Sequence, residues 1–420
     1  MELKLPNWRN EEASLDEVIS RYPTLSPIII LKVDVLRRGY ALNEKAKNAF
    51  KELSGNYQVI KHEDHFNRGT YIEGPRGLVF RDGASIINPP DDNIGVRDPY
   101  IIDYADGKFW LTDEEKRVEE IDFWRKADYF GKLTSKGTPM EQILEARPHR
   151  LSVFSANKYC YFWGGGEGCK FCSIGPNSKY YRKNPKAALA DPEEIEEAVV
   201  EAFRQKGRFT TICTTAGSIL SGEELFDDEV QMYIDIYSRL RRHFSSEKLR
   251  FQYVASAFSK KQVERLQKET GNIAYTTNLE VPTKELFDWI CPGKARVVGF
   301  EGWKQRLYNA VDVFGKGNVN SQLVAGADLV QPNGFRTEAE SVAAILALTE
   351  ELAKHGVGVV TNVWGVVPTI IFKNFYPPSL DYYAQVIKGV NEIQQAYDIN
   401  MYFDDYKRCG THPSSDLLRV

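Results

Sequence analysis

Three cysteines in the middle of the chain, Cys160, Cys169 and Cys172, have a spacing suited to metal or cluster binding. Only two residues separate Cys169 from Cys172, so both sulfurs can face one metal or cluster. The preceding eight-residue spacer contains GGGEG, whose glycines allow the backbone to wrap closely around a bulky group. Aromatic side chains nearby would screen that group from water: Tyr161, Phe162, Trp163 and Phe171. Three clustered thiols are typical of metal ligands.

The number of candidate ligands favours one kind of metal group. No fourth cysteine or histidine follows closely, and the nearest histidine, His149, lies upstream. A structural zinc site takes four protein ligands. A cubane iron–sulfur cluster held by three cysteines leaves one iron open to a substrate or cofactor. The pattern therefore favours an iron–sulfur cluster, with zinc or unliganded thiols as the alternative.

The elements that must position these thiols follow an alternating pattern from residue 150 onward. Six strand-like segments are predicted at residues 149–160, 209–217, 249–258, 272–281, 319–329 and 357–368. Helix-like segments lie between them, and several begin with a capping residue or end at glycine. This alternation predicts an α/β fold of parallel βαβ units, as an open sheet or a full or partial (β/α) barrel. The cysteines follow the first strand, and loops at the carboxyl ends of such strands carry the chemistry.

These residues resemble the radical S-adenosylmethionine (SAM) superfamily over about residues 150–368. Its members carry three cysteines after the first barrel strand, with an aromatic residue before the last, as Phe171 precedes Cys172 here. The eight-residue first gap departs from the usual three, whereas the two-residue second gap is kept. The segments ending in Ala216-Gly217-Ser218 and Asn278-Leu279-Glu280 are similar to the biotin synthase and lipoyl synthase branch.

The resemblance implies a [4Fe–4S] cluster held by Cys160, Cys169 and Cys172. It also implies SAM as a cofactor, bound by residues of the two later segments together with an aromatic residue of the loop: Ala216, Gly217, Ser218, Asn278, Glu280 and Phe171. Reductive cleavage of SAM would start radical rearrangement, bond cleavage or carbon–carbon bond formation on a small organic substrate. An electron donor such as ferredoxin or flavodoxin and sensitivity to oxygen are implied as well. The catalytic residues acting on the substrate are not predicted.

Other reactions stay open. Sulfur insertion, as in biotin synthase and lipoyl synthase, is disfavoured, because it would need further cysteines to hold a second, sulfur-donating cluster. Strands 249–258 and 319–329 carry no cysteine, and none precedes Cys160. A different bond of SAM could be broken, or the substrate could be a peptide or carrier protein. A zinc-stabilised interaction module is the non-enzyme alternative. Of the scattered thiols, Cys213 is predicted to be a buried small hydrophobe, whereas Cys291 and Cys409 are ambiguous.

The chain divides into three predicted parts. Residues 1–147 form an N-terminal α+β extension of unknown role, 148–385 the (β/α) core, and 386–420 a C-terminal extension packed on the core. Lys294 and Arg296, just after the fourth strand, are candidates for pairing with a substrate carboxylate or phosphate, or are solvated charges. The histidines of the segment Lys61–His65 and the acids of Asp404–Tyr406 are predicted to lie at the surface.

Composition limits the class of protein. The 420 residues include 42% hydrophobic and 27% charged residues, as in globular proteins. The net charge of −4 provides no overall field for nucleic acid or an anionic membrane, so neither is an expected partner. Six cysteines are too few for a disulfide scaffold. The N-terminal residues lack the features of a signal peptide, and a cytoplasmic location is predicted.

Overall fold

The computed structural model describes residues 7–401, apart from 64–70, 88–96, 154–155, 246–249, 272, 366–369 and 374. The first part of the chain combines helices with antiparallel strands. Its helices are α1 (Trp8–Glu11), α2 (Leu15–Arg21), α3 (Pro27–Arg38) and α4 (Glu44–Leu53). Its strands are β1 (Tyr40–Leu42), β2 (Val59–Glu63), β3 (Tyr71–Pro75), β4 (Gly77–Phe80), β5 (Ser85–Ile87), β6 (Tyr100–Ala105), β7 (Lys108–Asp113) and β8 (Lys116–Phe123).

These N-terminal strands form a mixed sheet in the order β1-β6-β7-β8-β4-β5, beside a separate β2–β3 pair. Only β1 runs parallel to its neighbour, β6; the other pairs are antiparallel. The apolar run that starts at Pro27 forms the buried helix α3, which has proline in its first turn. Pro lacks an N–H and is accommodated at that position, where no intrahelical bond is lost.

The second part of the chain alternates strands with helices. Its strands are β9 (Leu144–Ala146), β10 (Arg150–Val153), β11 (Thr211–Thr215), β12 (Arg250–Val254), β13 (Ala274–Thr276), β14 (Val319–Ala325) and β15 (Gly358–Val363). Its helices are α5 (Tyr161–Gly164), α6 (Gly175–Tyr181), α7 (Pro192–Ala202), α8 (Asp227–Leu240), α9 (Lys260–Thr270), α10 (Lys284–Ile290), α11 (Pro292–Val297), α12 (Phe300–Phe314), α13 (Glu338–Lys354) and α14 (Leu380–Ala396).

Strands β10 to β15 are parallel and lie side by side in chain order, and β9 is antiparallel to β10 at one edge. This is a curled half-barrel sheet, the partial form of the predicted (β/α) barrel, and within the described residues β10 is not paired with β15. The predicted alternation of strands and helices is confirmed for this sheet. Because the six strands point the same way, the loops after them meet at one edge of the sheet.

Local sequence accounts for the ends of the connecting helices. Asp191 caps α7 by accepting a hydrogen bond from the N–H of Glu193. Helices α9 and α13 begin with complete capping boxes, Ser259 with Gln262 and Thr337 with Glu340. These side chains satisfy N–H groups that have no partner within the helix, so each helix has a defined start.

The predicted division of the chain at residues 147 and 385 stays a prediction. Strand β9, just before residue 148, extends the parallel sheet, and α14 spans residues on both sides of position 385. Among the helices of the described residues, none combines the length and apolar character needed to cross a bilayer.

Candidate functional site

The three-cysteine loop lies at the edge of the parallel sheet where its strands end. Cys160 follows β10 and directly precedes α5. The loop folds back on itself, since the N–H of Cys172 donates to the carbonyl oxygen of Cys169 at 3.0 Å. It also joins the neighbouring strand end, because the N–H of Tyr161 donates to the carbonyl oxygen of Ser218 at 3.0 Å.

The three thiols interact with one another electrostatically. Burial raises the pKa of Cys160, and Cys169 raises it further. Burial likewise raises the pKa of Cys172 to about 12, with smaller contributions from Cys169 and Cys160. The protonated form is therefore favoured at neutral pH. Metal ligation would have to displace these protons, and such displacement is how metal binding couples to thiol ionisation.

Aromatic rings of the loop explain two of its glycines. A Cβ atom at Gly168 would lie 2.3 Å from the ring of Trp163, and one at Gly164 would lie 1.8 Å from the hydroxyl of Tyr159. Phe162 is buried, and Phe171 is partly buried against the main hydrophobic core. These two glycines are thus required by packing against the neighbouring aromatic rings.

The segment after β11 contacts the cysteine loop through its backbone. A Cβ atom at Gly217 would lie 2.5 Å from the carbonyl oxygen of Tyr159 and 2.8 Å from the nitrogen of Cys160. The carbonyl oxygen of Gly217 accepts a hydrogen bond from Asn157 Nδ2 at 3.0 Å. Ala216 is partly buried beside it. Close backbone contact is therefore a reason for a small residue at position 217.

A buried carboxylate supports the same strand end. Glu229 of α8 is fully buried and accepts hydrogen bonds from the N–H groups of Ile219 (2.9 Å) and Ser256 (2.8 Å). It also accepts one from Ser256 Oγ at 2.8 Å, and that hydroxyl lies 2.9 Å from Ser218 Oγ. Glu229 thus joins the ends of β11 and β12. Sequence reasoning missed it, because a single acid in a helix has no distinguishing pattern.

The segment after β13 holds a buried ion pair. Lys294 Nζ lies 2.6 Å from Glu280 Oε1 and donates to the carbonyl oxygen of Asn278 at 2.9 Å. Burial is the largest single influence on the pKa of Lys294 and lowers it, but the charge and hydrogen bond of Glu280, together with the nearby Cys169 and Cys291, outweigh burial, and the pKa is raised. Glu280 has a φ of +70°, a left-handed conformation that is uncommon for a residue other than glycine. Such backbone strain is often found at functional sites.

This ion pair is close enough to the thiols to affect them. Glu280 acts electrostatically on Cys169 and Cys172, and Lys294 on Cys169. The structure therefore brings Glu280 close to two of the three predicted cluster ligands, Cys169 and Cys172. Lys294, predicted as a partner for a substrate anion or as a solvated charge, is instead buried and paired with Glu280. Arg296 is exposed and paired with Glu167 of the cysteine loop at 2.6 Å.

A fourth thiol lies in the same place. Cys291, between α10 and α11, is fully buried and lies close to Cys169. Its interaction with Cys169 is the largest cause of the raised pKa of Cys169, followed by burial. Sequence reasoning left Cys291 ambiguous, because it is far from the other thiols along the chain and has no motif around it.

The other candidates lie elsewhere. His149 precedes β10, at the opposite end of that strand from the cysteine loop. Cys213 is buried within β11, as predicted. Cys409, His65 and the segment 404–406 lie outside the described residues.

The three thiols can be compared with the ligand arrangements that a single zinc ion and an iron–sulfur cubane require. Within the described ranges, no three His, Cys, Asp or Glu side chains are arranged to hold a single metal ion. A zinc ion needs all its sulfur ligands about 2.3 Å from one point. A cubane is larger, and its cysteines each bind a different iron, so they stand further apart. Three mutually interacting thiols that form no single-ion site among the described residues fit a cubane better than a single ion.

The comparisons with known proteins leave the family open. No protein-family model matches the sequence. No curated protein matches it either. One similar solved structure is a radical SAM methyltransferase from Sphaerobacter thermophilus, with 13% identity, a TM-score of 0.40, and coverage of 96% of this chain and 98% of that one.

A second is a putative mandelate racemase/muconate lactonizing enzyme from Labrenzia alexandrii DFL-11. It has 10% identity and a TM-score of 0.25, and it covers 54% of this chain and 53% of that chain. At these identities and TM-scores, neither likeness supports a conclusion about activity.

Proposed function

We propose that this protein is a radical SAM enzyme that acts on a small organic substrate. The observation that carries the proposal is the set of three mutually interacting thiols, Cys160, Cys169 and Cys172, at the carboxyl edge of a parallel sheet. These residues would hold a [4Fe–4S] cluster. The bound cluster would supply the electron for reductive cleavage of SAM, and a three-cysteine ligand set would leave it open to that cofactor.

The chain's own residues would bind and orient the cofactor. Gly217 and Ser218 present backbone groups and a hydroxyl beside Cys160, and Glu229 holds Ser218 through Ser256. The Glu280–Lys294 pair adds a dipole close to Cys169. Phe162, which is buried, and Phe171, which is partly buried, would help to exclude water. Holding the reacting groups together and dry is the protein's main contribution to such chemistry.

Cys291 favours one competing function. Its position beside Cys169 makes it a potential fourth ligand. Four thiolates would close the coordination of a structural zinc ion or leave no open iron for SAM. The chain would then carry a structural or electron-transfer centre, or be a zinc-stabilised interaction module.

Cysteine variants separate these functions. Wild type and the alanine variants of Cys160, Cys169, Cys172 and Cys291 are reconstituted anaerobically with iron and sulfide. We expect the first three variants to lose most of the bound iron and the cubane absorption, because each loses a ligand. Cys291→Ala is expected to keep both, and to keep forming 5′-deoxyadenosine from SAM and dithionite.

Two results would contradict the proposal. Equal loss of iron in Cys291→Ala would identify a four-thiol centre. One zinc per chain in the wild type, with no iron uptake, would favour the interaction module. If the cluster forms, the SAM-derived products distinguish cleavage at C5′ from cleavage of another bond. The substrate, the electron donor and the cytoplasmic location stay predictions.

A further inference from the structure

The parallel sheet has two faces of different chemistry. On one face, the ring of Tyr275 in β13 lies against Phe314 in α12, with ring centroids 5.8 Å apart. Side chains at alternate positions of a strand point to opposite faces. The residues adjacent to Tyr275, Ala274 and Thr276, therefore belong to the face that points away from α12.

Register identifies the neighbours on that second face. Thr276 is level with Asn320 of β14, and two positions further along, Gln322 follows on the same face. Asn362 of β15 is level with Val324, two positions beyond Gln322. Gln252 of β12 is on this face too, since its Nε2 donates to Thr276 Oγ1 at 3.0 Å. We name Gln252, Asn320, Gln322 and Asn362 the carboxamide face.

Two side chains of the carboxamide face have unused hydrogen-bonding groups. Asn320 is 0% exposed, and neither its Nδ2 nor its Oδ1 has a hydrogen-bond partner among the described residues. Within the same ranges, the buried Oδ1 of Asn362 has none either. Buried amide groups are nearly always paired, because leaving one unpaired costs folding free energy. An unpaired, buried carboxamide on β14, the second strand from the edge of the sheet, is therefore available for a partner that another molecule supplies.

The carboxamide face lies next to the residues predicted to bind SAM. Asn278 Oδ1 accepts a hydrogen bond from the N–H of Gln322 at 3.2 Å, and Thr276 precedes Asn278 by two positions. Glu280 is bridged to Leu323, beside Gln322. A molecule bound at Asn320 would thus lie on the same strands as the proposed cofactor site, toward their amino ends.

The charge of this face restricts what it can bind. On the face of β13, β14 and β15 that carries Asn320, the residues of the three strands are all uncharged: Ala274, Thr276, Asn320, Gln322, Val324, Gly358, Val360 and Asn362. The nearby cation, Lys294, is already paired with Glu280. A carboxylate or phosphate buried against these three strands would find no counter-charge on them, and its desolvation would be costly. A carboxamide offers a donor and an acceptor side by side, which match another amide-like edge.

We propose that the carboxamide face binds an uncharged, amide-like group of the substrate through Asn320. The term substrate rests on the proposed function, whereas binding of such a group requires neither iron nor SAM.

Stability of an isosteric variant gives the first test. Asn320→Leu removes the two unpaired polar groups while keeping the side chain's size. We expect its thermal unfolding midpoint to equal or exceed that of the wild type. In the free protein, the buried polar groups of Asn320 have no hydrogen-bond partner among the described residues, and burying them in this way lowers the stability. A lower midpoint would mean that Asn320 has a structural partner, and would overturn the proposal. Asn309→Leu, on α12 and paired with Gln305, is the matched control for an Asn-to-Leu change outside this face.

Binding of acetamide gives the second test. Its affinity is measured by ligand-observed NMR on the purified protein, with acetate as a charged probe of the same size. We expect acetamide to bind, acetate to bind at least roughly tenfold more weakly, and Asn320→Leu to lose roughly tenfold in acetamide affinity. Equal binding of both probes, or unchanged acetamide binding in Asn320→Leu, would overturn the proposal. Because neither measurement uses the cluster, failure of the radical SAM proposal would leave their outcome unchanged.

Discussion

Glu229 is a carboxylate whose ionisation is opposed by its surroundings. Burial raises its pKa from 4.5 to about 7, although hydrogen bonds from Ser256 and Ile219 act in the opposite direction. Between these two pH values the folded protein holds a proton that the unfolded chain has already released. The stability associated with Glu229 is therefore present at low pH and is lost as the pH rises through about 7.

Replacing Glu229 by glutamine, which does not titrate, isolates this effect. As the pH rises from about 4.5 to above 7, we expect the free energy of unfolding of the wild type to fall relative to Glu229→Gln by on the order of 3 kcal/mol. Urea titrations of both proteins at several pH values measure the difference, and other titrating groups cancel in it. A difference that does not change with pH would show that Glu229 binds protons equally in the folded and unfolded states.

At the scale of elements, the segment α10–α11 packs directly on the cysteine loop. The N–H of Lys170 donates to the carbonyl oxygen of Ile290 at 3.0 Å, and the N–H of Gly293 donates to that of Glu167 at 3.1 Å. Through these two hydrogen bonds, and with Cys291 next to Cys169, the segment α10–α11 holds the loop in place.

Gly293 allows this close approach. A Cβ atom there would lie 2.4 Å from the ring of Phe162 and 2.8 Å from the carbonyl oxygen of Glu167. We expect Gly293→Ala to displace the loop, to lower the iron bound after reconstitution, and to cost roughly 1–3 kcal/mol of stability. Iron analysis and urea unfolding measure both effects. Gly55→Ala, where a Cβ atom would meet nothing within 4 Å, is the control. Wild-type iron content and stability in Gly293→Ala would show that the loop does not depend on this contact.

At the scale of the whole molecule, a buried ion network joins the N-terminal helices to the second part of the chain. Glu12 contacts the guanidinium groups of Arg37 and Arg97, both of which are buried. Arg97 donates to the carbonyl oxygen of Pro377 at 2.8 Å, and Arg37 to that of Pro378 at 3.4 Å, shortly before α14. Asp34 also pairs with Arg37 at 2.7 Å.

Removing the charge of Glu12 leaves two neighbouring buried cations with less compensation. We expect Glu12→Gln to cost roughly 3–5 kcal/mol, as is typical when one partner of a buried ion pair is lost. Urea unfolding measures the loss, and Glu11→Gln, a change at an exposed neighbour, is expected to stay within about 0.5 kcal/mol of the wild type. An unfolding curve for Glu12→Gln that matches the wild type would show that this ion network does not stabilise the contact between the N-terminal helices and the segment before α14.

The sequence by itself determined the order of strands and helices after residue 150 and the position of the cysteine loop at a strand end. Caps such as Asp191 and Ser259 and the alternation of strand and helix patterns are local, so they can be read without the fold. Local sequence patterns could not distinguish an open sheet from a partial or a full barrel, because that distinction depends on whether β10 and β15 pair.

Only the tertiary structure decided which distant side chains share the site. Cys291 beside Cys169, Lys294 paired with Glu280, and Glu229 beneath Ser256 come from different segments of the chain. The packing of helices against strand ends determines which residues these side chains contact. The local sequence around a single residue does not indicate its tertiary contacts. The same holds for Asn320, whose importance lies in hydrogen bonds that the described part of the fold leaves unmade.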